Sequence, residues 1–135
     1  MKYKIGIVVS DFNSEITSRM ERHAEKIAKK LNLEIIRKVH VPGSFEIPFV
    51  SSKLFEDKEI NALVVLGAVI TGETHHDVIL VNAVAEKLIG ISLKHNKPIG
   101  FGVIGPRVKW RQAESRAEEY AERAVKAVYE LLKIK

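Results

Sequence analysis

Hydrophobic and polar positions along this chain follow two alternating rhythms. Apolar runs of strand length occur at Lys4 to Val9 (KIGIVV), Leu33 to Val39, Ala62 to Ala68 (ALVVLGA) and Ile99 to Ile104. Short, near-continuous runs of this kind predict strands buried on both faces. A stretch with helical spacing follows each run. Ser14 to Leu31 sets Ile16, Met20, Ala24, Ile27 and Leu31 on one stripe, which predicts a helix with a single apolar face. Phe45 to Phe55 predicts a shorter helix, where Pro48 is tolerable because it falls in the first turn. Thr74 to Lys94 predicts a third helix. Arg111 to Leu132 predicts a fourth, with Ala117, Tyr120, Ala124, Val128 and Leu131 on its inner stripe.

Apolar strands alternating with helices imply a parallel sheet covered on both faces and joined by right-handed crossovers. The simplest solution is a three-layer αβα, flavodoxin-like arrangement with strand order 2-1-3-4. The whole chain, 1–135, fits one domain. The third helix carries more apolar surface than one sheet can cover: Val78, Ile79, Leu80, Val81, Ala83, Val84, Leu88 and Ile89. A helix apolar on more than one face is normally buried on more than one side. In a domain this small, the second cover is expected to be another subunit.

Charge changes the picture little. A formal charge of +5 raises the question of nucleic acid. However, the lysines and arginines of Arg19 to Lys30 and Arg111 to Lys133 are interleaved with glutamates at helical spacing. That is the pattern of a solvated helix face, and it argues against a nucleic-acid partner. A modest positive excess suits small anionic substrates. The absence of cysteine excludes disulfides and thiolate chemistry. No secretory pattern precedes the first strand, and no apolar run reaches the ~18 residues of a membrane span. The expected location is the cytoplasm, with no membrane partner.

Open parallel sheets bind ligands beyond the carboxyl ends of their strands. That rule nominates Ser10 to Asn13, Val41 to Glu46, Gly67 to Asp77 and Gly105 to Arg107. In the third of these, GAVITGETHHD, Thr74 followed by Asp77 has the spacing of a capping box. The amides of Gly72, Glu73 and Thr74 would then lie at a helix N-terminus, where free N–H groups and the dipole attract phosphate. Thr74 as a cap alone and Thr74 at an anion site both remain open on this segment. His75, His76 and Asp77 raise the question of a metal. Adjacent helical histidines point about 100° apart, which disfavours one shared ion. A single histidine at this helix start fits proton transfer better. Phe12 and Phe45 fall in loops, where an aromatic can stack on a flat ring or merely cover the core. Arg116 is suited to bidentate phosphate contact, or is only a surface residue.

Together these residues carry a resemblance. FN after the first strand, VPGSFEIP before the second helix, GAVITGETHHD after the third strand, KPIGFGVI at the fourth and QAESRA in the last helix resemble the lumazine synthase family, over nearly the whole chain. The resemblance implies condensation of 5-amino-6-(D-ribitylamino)uracil with 3,4-dihydroxy-2-butanone 4-phosphate, without metal or organic cofactor. Carried over by motif, Phe12 would stack on the pyrimidine with Asn13 beside it. Ser44, Phe45 and Glu46 would hold the ribityl chain. Ala68, Val69 and Ile70 would meet the pyrimidine edge through backbone groups. Glu73 and Thr74 would hold phosphate with Arg116, and His76 would transfer protons. Phe101 and Arg116 would come from the neighbouring subunit, since the family's sites lie between subunits of a pentamer.

The chain departs from the family pattern at several points. Glu73 stands where many members have alanine, and the GPRVKW loop of Gly105 to Trp110 differs from the bacterial turn; both look archaeal. Tyr120 replaces a lysine found in many bacterial members, so a phosphate role there is absent or moved to Arg107 or Lys109. The chain opens at its first strand without the family's N-terminal arm, which leaves pentamer against 60-subunit capsid open. The alternative function is a flavin- or lumazine-binding module without catalysis, which would not need His76 or the phosphate contacts.

Overall fold

The computed structural model describes residues 2–134. Strand β1 (Lys4–Ser10) leads to helix α1 (Ser14–Lys30), and β2 (Glu34–Val41) to a 3-10 turn (Ser44–Glu46) running into α2 (Ile47–Leu54). Then come β3 (Ala62–Ala68), α3 (His76–His95), β4 (Ile99–Ile104) and α4 (Trp110–Leu132). The strands form one parallel sheet in the order β2-β1-β3-β4, as the sequence pattern predicts. Pro48 sits in the first turn of α2, where its missing N–H has no helical partner to lose.

Side-chain alternation along the central strands divides the core in two. Ile5, Ile7, Val9, Val64, Leu66 and Ile104 pack with Ile16, Met20, Ala24, Ala117 and Ala121 of α1 and α4. Val8, Leu63, Val65 and Val103 face the other way, onto Ile47, Leu54, Val81, Val84 and Leu88 of α2 and α3. Successive residues of a strand point to opposite faces, so a strand covered on both sides must be apolar throughout. β3 is buried at every position. β2 takes its predicted place at the sheet edge but departs from the prediction in two ways: it runs two residues further, to Val41, and it is half exposed.

The fourth helix is rotated relative to its predicted stripe. Ala113, Ala117, Ala121, Ala124, Val125 and Val128 are buried, Tyr120 is only partly buried, and Leu131 in the last turn is 48% exposed. A run of alanines lets α4 approach the sheet closely. A side chain at Gly100 would strike the Ala124 carbonyl, so β4 carries no Cβ where the helix crosses it. On the outer surface α1 and α4 are tied by Arg19, which donates from Nε and Nη2 to Glu118 at 3.2 and 2.9 Å. His23 meets Glu122 at 2.9 Å in the same groove.

The α2/α3 layer is the opposite in character. Phe49, Ile79, Ile89 and Leu93 are exposed there, Leu93 by 77%. The excess of apolar residues on the third helix is therefore not covered by its own chain. No helix among the described residues is long and apolar enough to cross a membrane.

Candidate active site

Because all strands are parallel, their four exit segments meet at one edge of the sheet, and backbone hydrogen bonds lace them together. Asp11 N–H donates to Val41 O at 2.8 Å and Phe12 N–H to Pro42 O at 3.0 Å. Val69 N–H donates to Ile104 O at 2.8 Å and Thr71 N–H to Val108 O at 2.9 Å. Asn13 completes the ring of contacts: its Nδ2 donates to Ala68 O at 2.8 Å. It can do so because it turns the chain into α1 in the left-handed region, φ 63°, a conformation that asparagine tolerates better than most residues.

The VPGSFEIP segment is seated by two close approaches. Ser44 is buried, and a Cβ on Gly67 would lie 2.6 Å from its Oγ, so only glycine at the end of β3 admits it. Glu46 Oε1 accepts the Gly43 N–H at 2.8 Å. This closes the 3-10 turn and leaves Oε2 outside that bond. Phe12 and Phe45 are 69% and 72% exposed at this edge, so neither is a lid on the chain's own core.

The third segment corrects one expectation. α3 begins at His76, not Thr74, and Thr74 does not cap it. Gly72 to His75 instead form a turn closed by His75 N–H on Gly72 O at 3.3 Å, with His75 left-handed at φ 56°. Asp77 does not reach back to complete a capping box. Its Oδ2 accepts the Arg107 N–H across the cleft at 2.7 Å. Arg107 is itself left-handed, φ 63°, and a buried carboxylate at a helix N-terminus is well placed to hold that backbone. The Arg107 N–H lowers the Asp77 carboxyl below its ordinary value, against the opposing effect of burial. Glu73, Thr74 and His76 are all exposed beside this turn.

One of the nominated residues is not brought to this edge. Phe101 pairs with Val65 part-way along β4, short of its carboxyl end. It lines an apolar groove of about 260 Å³ with Leu88, Ile89, Leu93 and Ile99, towards the amino end of β4. Arg116 is exposed on α4. Ala68 is buried, with Val69 and Ile70 partly so. Arg107 and Lys109 line an open pocket of about 600 Å³ with Thr71, His75 and Gln112.

Sequence reasoning missed Asp77 as a loop anchor and passed over His40. His40 meets the carboxylates of Asp11 and Glu21 with its two ring nitrogens. Its place just after the predicted second strand, beside its exit segment, was the only signal. Among the described residues, no three His, Asp or Glu side chains are grouped to hold a metal ion.

A parallel three-layer αβα sheet whose polar, glycine-bearing exits meet at its carboxyl edge belongs to the class of α/β proteins that bind small molecules there. The family model for 6,7-dimethyl-8-ribityllumazine synthase matches residues 2–135, and the chain belongs to that family. It is 43% identical over 129 residues to the 6,7-dimethyl-8-ribityllumazine synthase of Staphylothermus marinus, covering 96% of this chain and 86% of that protein. It is 45% identical over 129 residues to the synthase of Saccharolobus islandicus, with 96% and 84% covered. Against that of Metallosphaera sedula it is 44% identical over 128 residues, with 95% and 85% covered. A solved homoserine dehydrogenase from S. aureus aligns at 9% identity and TM-score 0.31, over 76% of this chain and 33% of that one, a likeness too low to carry weight.

Proposed function

We propose that this protein condenses 5-amino-6-(D-ribitylamino)uracil with 3,4-dihydroxy-2-butanone 4-phosphate to give 6,7-dimethyl-8-ribityllumazine, the penultimate step of riboflavin biosynthesis, in the cytoplasm. The uracil amine and the butanone carbonyl form an imine with loss of water. Inorganic phosphate then leaves, and ring closure expels water again. One observation carries the reading: the FN, VPGSFEIP and GAVITGETHHD segments meet at one sheet edge in a chain whose family match spans residues 2–135.

Each residue has a role that its position supports. Phe12 offers an exposed ring for the pyrimidine, with Asn13 fixing the turn beneath it. The backbone from Ala68 to Ile70 meets the pyrimidine edge. Ser44, Phe45 and the free Oε2 of Glu46 receive ribityl hydroxyls. The Glu73–Thr74 turn lies next to the N-terminus of α3, where the dipole favours phosphate. The Thr74 hydroxyl, not taken up in capping, is available to the same anion. Glu73 is compatible with an anion when it donates through its amide and its carboxylate points to solvent. His76, the first helical residue, moves protons between the amine, the carbonyl oxygen and the leaving groups. Holding two reactive partners together supplies much of the acceleration.

The site is proposed to be shared between copies of this chain. Phe101 sits on β4 short of the carboxyl edge in one copy, and Ile79, Ile89 and Leu93 leave α3 uncovered. A neighbour packed on that layer, in a pentamer or a larger shell of pentamers, would cover the helix and supply Phe101 and Arg116. Incubating the protein with both substrates and following the lumazine chromophore tests the function directly.

A further inference from the structure

We propose that His40 is a positioning residue for the pyrimidine pocket: as an imidazolium bridging Asp11 and Glu21, it holds the β1–α1 turn that carries Phe12 and Asn13. The role of the pocket rests on the proposed function; the bridge itself does not.

His40 is the penultimate residue of β2 and pairs with Val9 in the sheet register. Its Nδ1 faces Asp11 Oδ1, and its Nε2 lies 3.1 Å from Glu21 Oε2. An ionised carboxylate only accepts hydrogen bonds, and a neutral imidazole has only one N–H. Both contacts can be hydrogen bonds only when both ring nitrogens are protonated. The charged groups around the bridge are Asp11 from the turn, Glu21 and Glu25 from α1, and Lys38 on β2. Lys38 Nζ lies 3.8 Å from Glu21 and 3.1 Å from Glu25. Lys38 is thus engaged mainly by Glu25, and His40 is the cation that Asp11 meets.

The bridge acts on the pocket through chain neighbours. Asp11 directly precedes Phe12, whose ring is exposed and whose backbone N–H donates to Pro42 O at 3.0 Å. Tethering the Asp11 side chain limits how the turn can rock and so how the Phe12 ring is presented. Asp11, and secondarily Glu21, raise His40 above the ordinary imidazole value of 6.5. A group raised in the folded state keeps its contribution at lower pH and loses it as pH climbs through the folded-state value. Ring binding should therefore weaken on the alkaline side, with the steps after binding little changed.

The test is steady-state kinetics at saturating butanone phosphate from about pH 6 to about pH 9, on the parent, His40→Gln and His40→Arg. The parent KM for ribitylaminouracil should rise roughly fivefold across this range, the scale of an exposed ion pair. His40→Gln should show the high KM at every pH, His40→Arg the low one, and kcat should stay near the parent value in both. A purely structural loss would lower kcat and stability together and would not flatten the profile. A second readout needs no catalysis: by NMR, the Phe12 and Asn13 amides should shift with the midpoint of the His40 ring in the parent and lose that response in both variants. A parent KM profile retained in His40→Gln, or amides indifferent to the His40 titration, would overturn the proposal. A parent that forms no lumazine would refute the enzymatic reading and leave the amide test of the bridge standing.

Discussion

Asn13 and Ala68, 55 residues apart in the chain, are joined by a 2.8 Å hydrogen bond from the Asn13 amide to the Ala68 carbonyl. It ties the exit of β1 to the exit of β3, the segments assigned to the face and edge of the same pyrimidine ring. The two exits are thus joined by a side chain that also turns the chain into α1.

Asn13→Ala should lose both contributions. The hydrogen bond is worth about 1 kcal/mol, and a left-handed φ costs a β-carbon residue roughly 1–2 kcal/mol. Urea unfolding should show a loss of about 2 kcal/mol, while Asn13→Gly, which keeps the backbone freedom, should lose less in the folded state. Both variants should raise the KM for ribitylaminouracil. An Asn13→Ala protein as stable as the parent would contradict the tie.

His76→Ala should slow turnover by roughly 10- to 1,000-fold, the lower part of the range for an acid–base residue, with residual activity from substrate proximity. His75 is left-handed, so its control should be His75→Asn, which tolerates that backbone. That variant should be much milder in single-turnover assays. A greater loss from His75→Asn than from His76→Ala would mean that the proton-transfer role had been given to the wrong histidine.

Most of the fold was legible in the sequence because burial on both faces of a central strand leaves an unambiguous apolar run, as in β3. β2 was less so, since an edge strand half open to solvent mixes both patterns. On α4 the stripe was misplaced because alanine weighs little in a hydrophobic pattern, yet the helix buries alanines along this face and lays Ala124 on Gly100. At the site, the family resemblance singled out Asn13, Ser44 and Glu46. The sheet rule alone nominated their segments, because strand exits are readable from the apolar runs before them. Sequence spacing gave less at the third exit. It failed at Thr74 and Asp77 because a local capping box and a contact 30 residues away, to Arg107, use the same carboxylate. Only the folded chain decides between them. His40 was invisible for a similar reason: its partners lie on another strand exit and on a helix.

Asp77 should give stability an acid limb. Its carboxyl is held below the ordinary 3.8 by the Arg107 N–H, so its contribution is present above the unfolded value and disappears as pH falls through the lower, folded one. Urea unfolding of the parent between neutral pH and about pH 3 should show this loss. Asp77→Asn should be flatter over the same span, because the amide oxygen can still accept from Arg107 but no proton is taken up. Parallel acid profiles for the two proteins would show that Asp77 is not a source of the limb.

Arg116→Ala should raise the KM for butanone phosphate roughly tenfold or more, since charge-assisted hydrogen bonds contribute about 1.5–3 kcal/mol each. Arg116→Lys should recover only part of this, because one compact charge replaces a fork of donors. The KM for ribitylaminouracil should change far less, and inhibition by inorganic phosphate should weaken in the variant. Sedimentation must first show that parent and variant assemble alike, as a pentamer or a multiple of one. Undiminished phosphate inhibition in a properly assembled variant would move the anion to Arg107 and Lys109, which line the pocket beside His75.

The most direct measurement is lumazine formation itself. Purified protein, ribitylaminouracil and butanone phosphate should give 6,7-dimethyl-8-ribityllumazine well above the spontaneous rate, with inorganic phosphate released in equal amount and no added metal or cofactor. Tight binding of lumazine with no acceleration of its formation, in protein that sediments as an intact assembly, would contradict the account and leave a binding module in its place.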